Sequence, residues 1–292
     1  MTQPPLSDKP SVPDKPSVSA EPSVSAEHHV PFDDRGLAYG DGVFETVLLR
    51  AGAPVLWRYH AARMELGCQC LGIPFPCQAS LKAAWQGKSM ADLEVLKIVL
   101  TRGSGGRGYA QPEVVTPRLL SHRMPFEPSI SRWQQGVAIR ICDLRLGHQP
   151  RLAGIKHLNR LENVLARQEW SDDNIAEGVL ADSKGLVVEA TSMNIFWQQA
   201  GEVFTPLLDQ CGVAGTLRAA LIDQGSVTQA SLPLSQLANV ERLWVGNSVQ
   251  GMWPVNTLLA ADGALLRRWS ISTTEPLQRL AHQLLGYESS AF

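Results

Sequence analysis

The sequence predicts an α+β fold built from two α/β domains, and three observations predict it. The chain has 292 residues, 44% of them hydrophobic and 18% charged, which is enough to bury more than one core. Strand-like and helix-like stretches alternate along most of it. That periodicity stops between residues 126 and 136, where Pro128 and Ser129 stand. This break marks a linker between a smaller N-terminal domain, 29–125, and a larger C-terminal one, 137–292.

Taken in order, residues 1–28 read as a disordered tail. Pro and Ser dominate it, and two near-repeats end at Glu21 and Glu27, so it has too little apolar surface to offset its ordering entropy. Asp34 to Thr46 reads as a glycine-punctuated loop entering a strand, Val43 to Arg50, and Ala51 to Pro54 as a turn. Either those glycines only serve the turn, or the backbone passes close to a ligand with Tyr39 facing it. Trp57 to Gly72 has helical spacing and contains Arg63 three residues after His60. Glu94 to Thr101 and Arg118 to Met124 read as strands. Between them lies a flexible glycine loop, Arg102-Gly-Ser-Gly-Gly-Arg107-Gly-Tyr109. It lacks the lysine of a nucleotide P-loop, and Arg107 suits a carboxylate better.

In the second domain Val137, Ile139 and Ile141 alternate as a strand. Glu177–Ala181, Leu186–Ala190, Asn194–Trp197 and Val203–Thr205 read as an antiparallel meander. Glu189 stands inside one of its apolar strands, where a carboxylate either points outward or needs a partner. Gly212 to Arg218 is a glycine stretch opening a helix, whose free amides make an anion site. Leu243 to Ser248 is a strand ending in Asn247 and Ser248, a hairpin turns near Asp262, and Glu275 to Leu285 is a closing amphipathic helix.

The totals exclude several classes. A net charge of -2 offers no field to gather nucleic acid or anionic lipid. No apolar run reaches the length of a membrane span. Five cysteines, odd in number and scattered, fit neither a disulfide framework nor a zinc site, and they suit the reducing cytoplasm.

The phrase Leu152-Ala-Gly-Ile-Lys156-His157-Leu-Asn-Arg160-Leu-Glu162 is the centre of the reading. Apolar residues at 155, 158, 161 and 165 have helical spacing, and Lys156 lies off that stripe. Such a lysine is either solvated or the amine that condenses with an aldehyde cofactor. The phrase alone leaves both open.

This phrase, the glycine loop ending at Tyr109 and Tyr39-Gly-Asp-Gly-Val-Phe44 together resemble the fold-type IV pyridoxal-phosphate enzymes, the group of branched-chain and D-amino-acid transaminases and aminodeoxychorismate lyases. The resemblance spans Asp34 to the end and is strongest to the lyase branch. It implies two α/β domains with pyridoxal 5'-phosphate between them. It places Lys156 on the Schiff-base lysine, Glu189 on the partner of the pyridine nitrogen and Arg63 on the phosphate. Thr216 and Leu217 fall on the amides that hold the phosphate, and Asn247 and Ser248 on its second contact. Tyr39, Arg107 and Tyr109 would face the substrate. His157, as Lys156's neighbour on a helix, would point elsewhere. The implied activity converts 4-amino-4-deoxychorismate to 4-aminobenzoate and pyruvate, on the route to folate, in a homodimer. A transaminase on the same scaffold and an inactive cofactor-binding protein remain as alternatives.

Overall fold

A computed structural model describes residues 23–24, 29–272 and 275–287. The tail expected to be disordered thus lies outside the described residues, except for a two-residue strand, β1 (Ser23–Val24). Then come α1 (Arg35–Tyr39), β2 (Gly42–Arg50), β3 (Ala53–Pro54), α2 (Trp57–Leu71), α3 (Gln78–Ala83), β4 (Leu93–Thr101) and β5 (Arg118–Pro125). The strands form one sheet in the order β1-β5-β4-β2-β3. Alternation decides its two faces. Val43, Val47 and Leu49 of β2 and Leu96, Ile98 and Leu100 of β4 share a core with Met64 and Cys68 of α2. Phe44 and Thr46 point the other way, toward the second domain.

The larger domain follows: α4 (Ile130–Gln135), β6 (Val137–Leu146), α5 (Leu161–Arg167), β7 (Ile175–Asp182), β8 (Val187–Ala190), β9 (Asn194–Gln199) and β10 (Glu202–Pro206). After these come α6 (Thr216–Asp223), β11 (Thr228–Ala230), a 3-10 turn (Leu234–Asn239), β12 (Arg242–Asn247), β13 (Gly251–Leu259), β14 (Leu265–Arg268) and α7 (Pro276–Leu284). The sheet order is β11-β10-β9-β12-β13-β6-β7-β8, with β14 on β13. The expected meander is therefore interrupted. β7 pairs with β8 and β9 with β10, but β9 turns away to pair with β12. Contacts between β8 and β9 curl the sheet on itself.

Three expectations change. Asp34–Tyr39 is not loop but carries the short helix α1, capped by the Asp34 carboxylate, which accepts from the amides of Gly36 and Leu37. The phrase around Lys156 is not helical: α5 begins only at Leu161. Its backbone pairs with β2 instead. The Phe44 amide donates to the Lys156 carbonyl at 2.9 Å, and the Leu158 amide to the Gly42 carbonyl at 3.0 Å. Ile155 is buried while Leu161 and Leu165 are exposed, so the helical spacing there spans two different structures. The stretch 126–136, expected as a linker, contains α4, whose Trp133 is 1% exposed in the larger core and donates from its indole to the Gln250 carbonyl at 2.8 Å.

All five cysteines are free, and no described helix is long and apolar enough to cross a membrane. Truncating Trp133 tests the role of α4. Trp133→Ala should destabilise the protein by about 3–5 kcal/mol, the usual cost of emptying a large aromatic site. A denaturant midpoint equal to that of the parent would show that α4 is not part of the core.

Candidate active site

A cavity of about 920 Å³ opens between the two domains. β2 supplies Phe44 and Thr46, α2 supplies Arg63, and the larger domain supplies Lys156, Glu189 and Thr216. Lys156, Glu189 and Arg63, separated in sequence by up to 126 residues, therefore share one space.

Lys156 is held by the pairing of its own segment with β2, and Gly154, at φ +79°, turns the chain into that pairing. Its Nζ lies 4.3 Å from the centre of the Phe44 ring. Removal from water, with Arg63 nearby as the second cause, lowers the amine to about 8. The neutral, nucleophilic form is thus much more accessible than in an ordinary lysine.

Glu189, on β8, is 4% exposed. One oxygen accepts from the Val213 amide at 2.8 Å and the other from Asn163 Nδ2 at 3.2 Å. Burial raises its pKa, opposed by the Val213 hydrogen bond and by the Arg160 charge. Each carboxylate oxygen has further acceptor capacity, and the group lines the cavity. A buried carboxylate facing a cavity matches a cationic N–H donor on a bound ring.

The opposite end is a cup. Thr216 is the first residue of α6, and the first-turn amides of any helix have no carbonyl four residues back. Gly215 precedes it because a side chain there would collide: an added Cβ would fall 1.8 Å from Asn194 Oδ1. Arg63 closes the cup. Its Nε donates to Glu45 Oε1 at 2.8 Å, its Nη2 to Glu45 Oε2 at 2.5 Å and its Nη1 to the Ala214 carbonyl at 2.9 Å. A guanidinium has five N–H groups, so two remain for a ligand. Glu45 also receives His60 Nδ1 at 2.7 Å, and His60 Nε2 lies 3.2 Å from the Thr216 hydroxyl. Burial opposes ionisation of Glu45, but Arg63 and His60 overcome it and hold the carboxyl down at about 2.

The other candidate residues divide. Ser248 lines the cavity. Asn247 also reaches it, but its Oδ1 accepts from the amides of Val249 and Gln250 at 2.9 and 2.7 Å, so its side chain shapes the turn. The Leu217 side chain is buried in the core and leaves only its backbone for an anion. Tyr39, Arg107 and Tyr109 do not line the cavity. The two tyrosine rings stand 5.4 Å apart on the outer surface, Tyr109 being 88% exposed. The loop that carries them is also less free than its glycines suggest. Arg35 Nη1 donates to the carbonyls of Gly108 and Ala110 at 3.1 Å each, and Arg102 is buried against Asp41 and the carbonyls of Leu71 and Gly72.

Three side chains escaped the sequence reading. Glu45 had a signal, a charge inside an apolar alternation. Asn163 lay within the quoted phrase's continuation and had none. Arg160 lines the cavity, its Nε is buried without a partner, and Nη2 contacts His157 Nε2. His157 itself is buried, absent from the cavity wall and lowered to about 4 by burial and by the Arg160 charge. It therefore supports Arg160 as a neutral base rather than carrying a proton.

An amine, a buried carboxylate and a cup of N–H donors, all on one cavity, fit pyridoxal 5'-phosphate, which offers an aldehyde, a ring nitrogen and a phosphate ester. The comparisons agree. Residues 42–258 match the family described as amino-transferase class IV. The chain is 36% identical over 244 residues to aminodeoxychorismate lyase of Vibrio harveyi, covering 81% of this chain and 90% of that one. A crystal structure of 4-amino-4-deoxychorismate lyase from Pseudomonas aeruginosa shares 39% identity at a TM-score of 0.79, covering 89% of this chain and 95% of that one. D-alanine aminotransferase of Bacillus licheniformis is 25% identical over 241 residues, 78% of this chain and 83% of its own. The chain belongs to the class IV amino-transferase family, whose cofactor is pyridoxal phosphate.

Proposed function

We propose that this enzyme is a lyase that converts 4-amino-4-deoxychorismate to 4-aminobenzoate and pyruvate. One observation carries the reading: Lys156, Glu189 and the Arg63 cup share a cavity whose remaining wall carries further guanidinium groups, Arg160 among them. The greater similarity to the lyases than to the transaminase favours this branch.

When bound, pyridoxal 5'-phosphate supplies an electron-withdrawing ring that takes up an amine and stabilises negative charge on the carbon beside it. Lys156 is positioned to hold it, Glu189 to keep a proton on the ring nitrogen, and Arg63, Thr216, Ser248 and the Leu217 amide to bind the ester. Phe44 walls the amine off from water. Lys156, whose amine is lowered to about 8, would be the base for the proton on the carbon bearing nitrogen. It then returns a proton to the enolpyruvyl methylene as pyruvate leaves, and formation of an aromatic ring drives the step. Guanidinium groups suit the two substrate carboxylates. Arg160 and Arg132 line the cavity within this chain. We place Arg107, Tyr109 and Tyr39 at the mouth of a neighbouring subunit's cavity in a homodimer, because they stand exposed and away from their own. The free cysteines suit a cytoplasmic enzyme.

The reading is tested by incubating the enzyme with 4-amino-4-deoxychorismate and measuring pyruvate and 4-aminobenzoate. Release of both in equal amounts is expected. Amino-group transfer from D-alanine or a branched-chain amino acid, without pyruvate release from the chorismate, would move the assignment to a transaminase.

Lys156→Ala should fold and yet lose visible cofactor absorbance, with turnover reduced by more than about a thousandfold. Normal turnover by that variant would refute the assignment. Glu189→Gln should retain cofactor but lose most activity, since an amide cannot stabilise a ring cation. Unchanged kinetics would remove its role.

A further inference from the structure

The cup has a charge problem that its own residues set. Glu45 is ionised and Arg63 is cationic, so together they contribute no net charge. Between Glu45 and Thr216 sits His60, fully buried. An ionised carboxylate only accepts hydrogen bonds, so the 2.7 Å contact requires a proton on His60 Nδ1. In the neutral ring Nε2 then carries a lone pair, and the Thr216 hydroxyl, 3.2 Å away, donates its one proton to it. In that state the hydroxyl on the cavity wall has no proton left for an anion. A phosphate monoester, by contrast, carries about -1.5 to -2 charges near pH 7 and needs donors.

We propose that His60 takes up a proton from solvent when a phosphate ester enters the cup, so that the Thr216 hydroxyl turns from His60 to the ester. This rests on the reading that the cofactor's ester sits against Arg63 and Thr216. The proton adds to Nε2, which becomes a donor to Thr216 Oγ1, and the freed O–H points to a phosphate oxygen. The cup then carries one net positive charge. The groups that act on His60 are Glu45 from β2, Arg63 from its own helix α2 and Lys156 from the paired segment, besides the Thr216 hydroxyl of α6. Burial is the largest effect on His60 and holds it below the usual histidine range, against the pull of Glu45. A dianion hydrogen-bonded to the Thr216 hydroxyl reverses that balance, because the imidazolium then donates from Nδ1 to Glu45 and from Nε2 to Thr216 Oγ1, with negative charge beyond each. His60 thus acts as a positioning residue that makes the grip selective for the phosphorylated form of the cofactor.

The test compares two ligands that share ring and aldehyde and differ only in the ester. Full-length cofactor-free protein, labelled with nitrogen-15 in histidine, is examined by NMR at about pH 7.5, where a free monoester with a second pKa of about 6 is already a dianion. It is measured alone, with pyridoxal and with pyridoxal 5'-phosphate, and His60→Gln assigns the signal. One protonated and one bare ring nitrogen are expected alone and with pyridoxal, and two protonated nitrogens with the phosphate. Calorimetry in two buffers of different ionisation heat should show about one more proton taken up with pyridoxal 5'-phosphate than with pyridoxal, so the proposal stays testable even if His60→Gln fails to fold. A His60 that stays neutral while the phosphorylated ligand binds far more tightly would overturn the proposal and spare the site. Equal affinity for the two ligands would remove both.

Discussion

Everything at this site depends on a short backbone pairing between β2 and the segment carrying Lys156. The hydrogen bonds from Phe44 to Lys156 and from Leu158 to Gly42 join the two domains through main chain. They place the reactive amine on a two-sided scaffold rather than on a mobile helix surface. Because side chains alternate along β2, the same strand sends Phe44 to the amine and Glu45 to Arg63. A one-residue slip in that pairing would exchange the two and leave a carboxylate against the lysine. Register here is therefore a chemical requirement as well as a packing one.

Two buried glutamates show how environment divides one residue type into opposite roles. Glu45 meets a guanidinium and an imidazole, and stays ionised well below the ordinary carboxylate range. Glu189 meets amides and a more distant arginine, so burial dominates and its pKa rises. The first is complete within the protein. The second has only neutral hydrogen-bond donors and lines the cavity, whereas Glu45 does not.

What the sequence disclosed follows the same physics. The strands expected at Val43–Arg50 and Glu94–Thr101 lie within β2 and β4, because their β-branched and apolar residues are buried in the sheet. Lys156, Glu189 and Arg63, which the resemblance singled out, line one cavity. The stretch 152–160 was not, because apolar residues at helical spacing also arise when Ile155 packs inward from an extended segment. Asp34–Tyr39 looked like loop for its glycine, yet the Asp34 cap outweighs that cost. Arg35, invisible to any local pattern, ties down the loop of Arg107 through carbonyls some 70 residues away.

That last clamp bears on how one scaffold serves different reactions. The residues suited to gripping the cofactor come from α2, β8, α6 and the Lys156 segment paired with β2, and nothing in them distinguishes a lyase from a transaminase. The groups free to do so lie at the cavity rim and on the pinned 103–117 loop. Arg160 is the exception, since it stands beside the amine, within the phrase that carries Lys156, with an unpartnered N–H and only a neutral histidine at its side. Arg160 is half-buried, with Glu189 and Glu162 the nearest opposing charges and no direct ion pair to either, so an anionic group on a ligand would pair its free N–H. A guanidinium and the Lys156 amine thus share one loop and one cavity, and a change at Arg160 would test the first without the second only if Lys156's backbone pairing stays intact.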